Sequence, residues 1–501
     1  MKTQPKEIFA KYTDKETFDR IVDYKTLSSM WEHCAKEYAD RVVIKDNGMD
    51  YTYAQLDKDI RKFRTVIKNL GLPEGARVAL ISPNSYDFVK AFFAITTLGY
   101  TAAVLPAQLP AQAVFGCTMM FGTSALIYGE GLADMSFKEM LKVPAVSVTE
   151  TADEETDAAE CSADTPCVIM FTGGTTGKSK GALLSNGAVL QGIMNGCFGY
   201  KDVFFQKCIL ILPLSHVFGL IRSLLTPIYT GGTTLICRNN KDMFRDIAMF
   251  NPNIMVMVPA LAEMALSLSK QFKKNMLGND MKYIICGAAA VAPYLVKEYE
   301  KLGVTLFPGY GLTESANLVS GNPESANKPE SVGIMYPNQE YKIENGELWL
   351  KGDNMLTDYV GGDITAYEDG WFKTGDLVRI DEDGFLYITG RIKEVIVLSN
   401  GENVSPAEVE AKFNELSCIQ DSQVYEDVNE NGNHFLALEV VPRQTEMAAI
   451  PEAERGAFIT GKLEEINKTL PGYMQVAKII IRTSDFERTP SMKIVRYKKC
   501  Q

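Results

Sequence analysis

Residues 171–181 read FTGGTTGKSKG. Glycines let a backbone come close to phosphate oxygens, and small neighbours leave the amides free to donate. Thr172, Thr175 and Thr176 add hydroxyls, and Lys178 and Lys180 add positive charge. An apolar run, CVIMF, leads straight into the segment, as a strand feeding a phosphate loop would. A Walker A loop needs glycine, four residues, then Gly-Lys-Ser/Thr. Gly177, Lys178 and Ser179 supply that ending, but position 172 holds threonine and Gly173 stands one residue too close. No hydrophobic strand ending in aspartate stands out as a Walker B partner. Phosphate binding is expected, of another kind.

Other residues could complete a nucleotide site. Asp376, in WFKTGD, could accept both hydroxyls of a ribose diol. Taken alone, Gly375-Asp376 reads as a turn. Tyr310, in YGLTE, offers a flat face for adenine or is an ordinary core tyrosine. Glu314 could hold Mg²⁺, which shares oxygen ligands with substrate phosphates, or sit as an acid at a helix start. Lys493, in RTPSMK, precedes a basic tail that composition alone reads as a solvated charge run. His216, in LPLSHVFGL, is one of three histidines and by itself reads as a satisfied core residue. Gly287, Ala288 and Ala289 follow the apolar run YIIC, where small residues could admit a ligand or simply permit close packing.

The elements that must position these residues are partly legible. Residues 51–70 predict a helix with Leu56, Ile60, Phe63 and Ile67 on one face and Gly71 as its stop. Residues 77–82 predict a buried strand, followed by a helix faced by Phe88, Phe92 and Ile95, then a strand at Thr101–Leu105. Strand, helix, strand with short connections is a parallel unit. The alternation returns at 167–171, 233–237, 254–258 and Tyr283–Cys286, so the first 340 or so residues predict α/β layering. Residues 149–164 are acidic and predict an exposed loop. After about residue 340 the texture becomes α+β. A strand is expected at Glu347–Lys351 and a hairpin over 377–390 turning at Asp383-Gly384. Ser405-Pro406-Ala407-Glu408 predicts a capping box ahead of a helix faced by Val409, Phe413 and Leu416. Strands at 435–441 and 478–482 flank a helix over 452–470.

Composition narrows the classes of function. With 501 residues, 46 % hydrophobic and 23 % charged, the chain predicts a globular protein of at least two domains. A net charge of −12 disfavours general nucleic-acid binding and anionic membrane surfaces. No signal peptide is evident, and the most apolar stretch, 208–221, is too short and too interrupted to span a bilayer. The ten cysteines are scattered without a CxxC pair, which predicts a reducing, cytoplasmic location rather than disulfides or zinc.

Together, the motifs resemble those of the adenylate-forming superfamily of acyl-CoA synthetases, adenylation domains and beetle luciferases. Residues 172–181 are similar to its loop [ST]-[SG]-G-T-T-G-x-P-K-G, with Ser179 where proline is usual. YGLTE, WFKTGD, GRIK (390–393) and RTPSMK follow in the family's order, so the resemblance covers nearly the whole chain. It implies a large, layered N-terminal α/β domain, 1–391, with mixed and parallel sheets and a distorted barrel-like part. A small mobile α+β domain, 392–501, would follow. Thr172, Gly173, Gly174, Thr175, Thr176, Gly177 and Lys178 would hold the phosphates of ATP, with Lys180 as the family lysine. Gly287, Ala288 and Ala289 would form the small-residue loop between adenine and the acyl site, and Gly309, Tyr310, Gly311 and Thr313 would belong to the nucleotide-binding segment at the adenine. Asp376 and Arg391 would hold the ribose and Glu314 the Mg²⁺. Lys493 would be the adenylation lysine, and Met492 replaces a usual glycine beside it. Lys393 would be the hinge. His216, Val217, Phe218 and Gly219 would line the acyl pocket, with His216 positioning substrate rather than transferring a proton.

The resemblance also implies a reaction. No acid stands near His216 to pair with an α-ammonium group, so the substrate expected is a carboxylic acid without an α-amine. The chain continues only a few residues past Lys493, so a fused carrier domain is not expected. The LSNGENV loop (398–404) is similar to that of fatty acyl-CoA synthetases, which implies coenzyme A as acceptor at Ser399, Asn400 and Gly401. ATP and the acid would give acyl-AMP and pyrophosphate, and the CoA thiol would then displace AMP. A fatty acid is the expected substrate, and aryl acids remain open. Rival readings are a ligase that loads a separate carrier protein, a Walker-type NTPase releasing ADP, and a non-catalytic nucleotide-binding relative. Oligomeric state is not readable from the sequence.

Overall fold

The computed structural model describes residues 5–12, 16, 19–172, 180–361, 366–398, 402–429, 434–448, 450–488 and 494–496. Two sheets organise the larger part of the chain. In the first, Pro166–Thr172, Thr101–Leu105, Arg77–Ile81, Ala125–Tyr128 and Ala145–Ser147 run parallel in that order. Lys180–Ser185 and Asp358–Val360 extend one edge antiparallel. The second sheet has nine strands, parallel from Thr305–Leu312 through Tyr283–Cys286, Ile254–Met257, Lys207–Leu210 and Thr233–Ile236 to Val42–Asp46. Both its ends are antiparallel. The innermost of these strands are largely apolar, as strands covered on both faces are. Every residue of Thr101–Leu105 and Tyr283–Cys286 is buried.

The helices form where the apolar period demands them. Tyr53–Lys68 buries Leu56, Ile60, Phe63 and Ile67. It starts two residues later than the sequence pattern suggests. Tyr51 and Thr52 pair as a strand with Val42–Asp46, and the Thr52 hydroxyl caps the helix by accepting the Gln55 N–H at 3.1 Å. Residues 149–164 form the expected loop. Glu155 and Asp157 hold it down through Arg61 at 2.8 and 2.7 Å.

A five-stranded antiparallel sheet forms the barrel-like part as an open half-barrel. Its long strand Trp371–Ile380 pairs with Glu347–Lys351 and with Leu386–Arg391. Beyond it, Ile419–Val428, His434–Pro442 and Lys478–Ile481 make a three-stranded sheet covered by Pro406–Asn414 and Glu452–Thr469. Val409, Phe413, Leu438 and Leu463 close a separate apolar core there. The expected capping box at Ser405 does not form. Its hydroxyl instead donates to the Thr389 carbonyl at 2.6 Å, joining the small unit to the half-barrel. A Cβ on Gly390 would lie 2.0 Å from that hydroxyl oxygen, so the bond requires glycine there. Among the described residues no helix is long and apolar enough to cross a membrane.

Candidate active site

The phosphate-loop question is answered by topology. Thr172 and Lys180 are paired across antiparallel neighbours, so the chain reverses into a strand where a Walker A loop would enter a helix. Residues 173–179 lie outside the described residues, and with them Gly173, Gly174, Thr175, Thr176, Gly177 and Lys178.

Asp376 sits directly opposite Arg391 in the half-barrel register. Its side chain is 2 % exposed. Arg391 Nε reaches one carboxylate oxygen at 2.7 Å, and the Tyr310 hydroxyl donates to the other at 2.6 Å. Burial would lower the Arg391 pKa, but Asp376 and then Tyr310 more than offset it, and the net shift is upward. Burial and then the Asp376 charge push the Tyr310 hydroxyl far above its usual range, so it stays a donor. Asp376 is therefore no bare turn residue. Each of its oxygens keeps a lone pair for one further donor, which is what a vicinal diol offers.

Four residues beyond Tyr310, Glu314 enters a second polar group. It lies in the short turn Thr313–Ser315 that follows Thr305–Leu312. The Tyr359 hydroxyl donates to Glu314 Oε1 at 2.6 Å, and the Lys180 ammonium stands 5.0 Å above the Tyr359 ring. Burial, then Glu314, raise the Tyr359 pKa, and the same two causes push Tyr367 up to about 12. The turn is fixed from below by Gly311. A Cβ there would meet the Asn317 carbonyl oxygen at 2.1 Å. Glu314 suits Mg²⁺ arriving with ATP, since that ion needs only one or two carboxylates beside phosphate oxygens. Among the described residues no cluster of three metal-ligating side chains forms.

The segments expected to line the acyl side also come together. A Cβ on Gly287 would lie 3.1 Å from the Gly309 carbonyl oxygen and 3.4 Å from Phe218 Cζ. Ala288 adopts φ of +66°, a strained value for a residue with a side chain, and Ala289 is exposed. His216 is half-buried, and its Nδ1 accepts the Phe218 N–H at 3.3 Å. That bond orients the ring at the start of the helix Phe218–Leu225, which is wound as a π-helix. Such wide turns concentrate at functional sites. Val217, Phe218 and Gly219 are buried at its mouth.

Lys393 is exposed in the short turn Ile392–Glu394, between the half-barrel and the small unit. Ser399, Asn400, Gly401, Met492 and Lys493 lie outside the described residues. The flanks of the lysine segment are described. Arg488 and Ile494 form a bridge, Arg488 meets Asp421 at 2.6 Å, and Arg496 grips both Glu410 oxygens at 2.7 Å.

Sequence reasoning missed Tyr359, Tyr367 and the buried Arg222 within the π-helix. Tyr359 lies in a three-residue edge strand, too short to show alternation. Arg222 offered a signal, a lone charge in an otherwise apolar stretch, that went unused.

The described geometry can be compared with known proteins. Residues 31–360, more than half of the chain, match the family model of AMP-binding enzymes. Residues 393–501 match that of the AMP-binding enzyme C-terminal domain. A feruloyl-CoA synthase of Amycolatopsis sp is 27 % identical over 389 residues, covering 73 % of this chain and 78 % of the relative. A long-chain-fatty-acid–CoA ligase of Mycobacterium tuberculosis is 28 % identical over 432 residues, covering 79 % and 84 %. The crystal structure of an anthranilate CoA ligase with anthranoyl-AMP superposes with a TM-score of 0.84 at 19 % identity, over 95 % of this chain and 97 % of that one. The five ordered motifs, the layered fold and the family match agree: the chain belongs to the AMP-binding enzymes of the adenylate-forming superfamily.

Proposed function

We propose that this enzyme is an AMP-forming acid–thiol ligase that activates a carboxylic acid with ATP and passes the acyl group to coenzyme A. One observation carries the reading. Tyr310 and Glu314 stand four residues apart on one segment, yet each belongs to a different polar group. Asp376, Tyr310 and Arg391 would take the ribose end of the nucleotide, and Lys180, Tyr359 and Glu314 the phosphate end. The segment thus spans a nucleotide from sugar to leaving group. The names of the two relatives support a thioester-forming ligase, with acids as different as ferulate and long-chain fatty acids.

In the proposed reaction the acid's carboxylate oxygen attacks the α-phosphorus of ATP, and pyrophosphate departs. Bound Mg²⁺ would supply charge neutralisation for the polyphosphate, with Glu314 as its carboxylate and the Tyr359 hydroxyl orienting that carboxylate. Lys180, beside them, adds fixed positive charge where negative charge gathers. Lys493 would reach the acid and the α-phosphate in this half-reaction. The CoA thiolate then attacks the acyl carbon and AMP leaves. We place the domain division at 391/392 and the hinge at Lys393, so that rotation of the small domain exchanges Lys493 for the 398–404 loop. His216 orients the π-helix mouth and thereby the acyl carboxylate. A fatty acid is the substrate class favoured by the 398–404 loop, and aryl acids are the competing class.

Product analysis tests this reading. With ATP, an acid panel and CoA, AMP, pyrophosphate and an acyl thioester should appear in equal amounts. Release of ADP, or nucleotide turnover that ignores the acid, would overturn it.

A further inference from the structure

Arg496 stands three residues beyond Lys493. Its Nη1 and Nη2 donate to the two oxygens of Glu410, each at 2.7 Å. Its Nε lies 3.1 Å from Glu394. Glu410 is 7 % exposed, on the helix Pro406–Asn414, and one of its oxygens also accepts the Val424 N–H at 2.7 Å. A two-pronged pair of this kind fixes direction as well as distance. Burial would lower the Arg496 pKa, but Glu410 and then Glu394 more than offset it.

The other flank of the lysine segment is tied down as well. Arg488 and Ile494 form an antiparallel bridge, and the Val495 N–H donates to the Glu487 carbonyl at 2.8 Å. Arg488 meets Asp421 at 2.6 Å, in the strand Ile419–Val428 that also holds Val424. The chain thus leaves and rejoins the small unit at one closed pair on either side of residues 489–493. One peptide bond joins Lys493 to Ile494, so whatever fixes 494–496 bounds where the lysine can reach. Glu394 adds a second constraint. It is the last residue of the turn Ile392–Glu394, directly after the proposed hinge at Lys393. Arg496 therefore ties the chain beyond Lys493 both to the helix Pro406–Asn414 and to the first residue past that hinge.

We propose that Arg496 is a positioning residue for acyl-AMP formation: through Glu410 and Glu394 it anchors the attachment point of Lys493 to the body of the small unit, so that the lysine is delivered by movement of that whole unit. This rests on the ligase reading above, in which Lys493 serves the first half-reaction alone. The guanidinium touches no substrate in this role. It acts by holding the lysine's attachment point, where an error of about 1 Å is enough to slow the step about 100-fold.

The test measures the two half-reactions separately: carboxylate-dependent exchange of pyrophosphate into ATP, and thioester formation from supplied acyl-AMP and CoA. Arg496→Met keeps most of the volume and removes the donors. Its exchange rate should fall about 100-fold with KM for ATP little changed, while thioester formation stays within about twofold. Arg496→Lys should recover about tenfold of that loss, because it restores the charge without the planar fork. In a Lys493→Ala background Arg496→Met should cost nothing further, since the arginine acts through that lysine. Unchanged exchange in Arg496→Met overturns the inference. So does an equal loss of both half-reactions, the signature of a merely structural arginine, or a loss that adds to that of Lys493→Ala. Should Arg496→Met fail to fold, as judged by thermal unfolding, Glu394→Gln decides. It removes only the more exposed contact and should slow exchange about threefold while sparing thioester formation. Exchange unchanged in Glu394→Gln would then overturn the inference. Absence of exchange in the unmodified protein with every acid overturns the ligase reading itself, and the inference with it.

Discussion

Asp376 and Glu314 each have one tyrosine hydroxyl as an organising donor, and the two contacts should fail differently. Tyr359→Phe keeps the ring beneath Lys180 and removes only the donor to Glu314. We expect about a tenfold loss of kcat/KM for ATP and a higher Mg²⁺ midpoint, because the carboxylate loses its orienting partner. A Mg²⁺ titration of the variant checks this, and an unchanged midpoint would count against Glu314 as the metal carboxylate. Asp376→Asn keeps the shape but removes the counter-charge of Arg391. About a 100-fold rise in KM for ATP is expected, with a smaller effect on KM for the acid. What could be read at this scale was whatever is local in sequence. WFKTGD and YGLTE announce Asp376, Tyr310 and Glu314 because each motif is a few consecutive residues. Tyr359 joins Glu314 across 45 positions through a three-residue edge strand, and no local pattern encodes that.

At the scale of elements, the parallel sheets were legible because strands buried on both faces are unbroken apolar runs. Boundaries were less so. Thr52 is both the last strand residue and the helix cap, a choice set by pairing with Val42 rather than by propensity. The π-helix Phe218–Leu225 could not be read from apolar spacing, since every one of its residues is buried and no exposed face marks its period. Ser405 illustrates a tertiary partner overriding a local one: its hydroxyl reaches Thr389 instead of its own helix. Close backbone approach gives the sharpest expectation here. Gly311→Ala places a Cβ 2.1 Å from a carbonyl oxygen that belongs to backbone, so the Glu314 turn must shift. Destabilisation of about 1–3 kcal/mol and a large loss of ATP-dependent activity should follow, measured by denaturant unfolding and steady-state rates.

For the whole molecule, the docking of the small unit is the part that would change under the proposed rotation. Besides Ser405, it is held by Arg443 on Glu263 and by Lys270 to Glu446 at 3.3 Å. Burial raises the Glu263 pKa above its usual 4.5, with Arg443 only partly offsetting it. The folded chain thus holds that proton more tightly than the unfolded chain does. Stability from this group is complete below about pH 4.5 and is lost as pH rises through the folded value. Glu263→Gln should therefore gain stability relative to the unmodified protein as pH is raised from about 4 to 8, as followed by Tm. Arg443→Met should cost about 3 kcal/mol at neutral pH by leaving Glu263 buried and unpaired. The hinge makes a complementary demand. Lys393→Pro should keep acyl-AMP formation and lose thioester formation, whereas Lys493→Ala should lose the first and keep the second from supplied acyl-AMP. Equal loss of both half-reactions in either variant would contradict domain rotation.

The most direct measurement is carboxylate-dependent exchange of labelled pyrophosphate into ATP, without CoA, across monoacids, diacids and aryl acids. The ligase account expects exchange with some acids and none without an acid. Folded protein that binds ATP yet shows no exchange with any of them would contradict it.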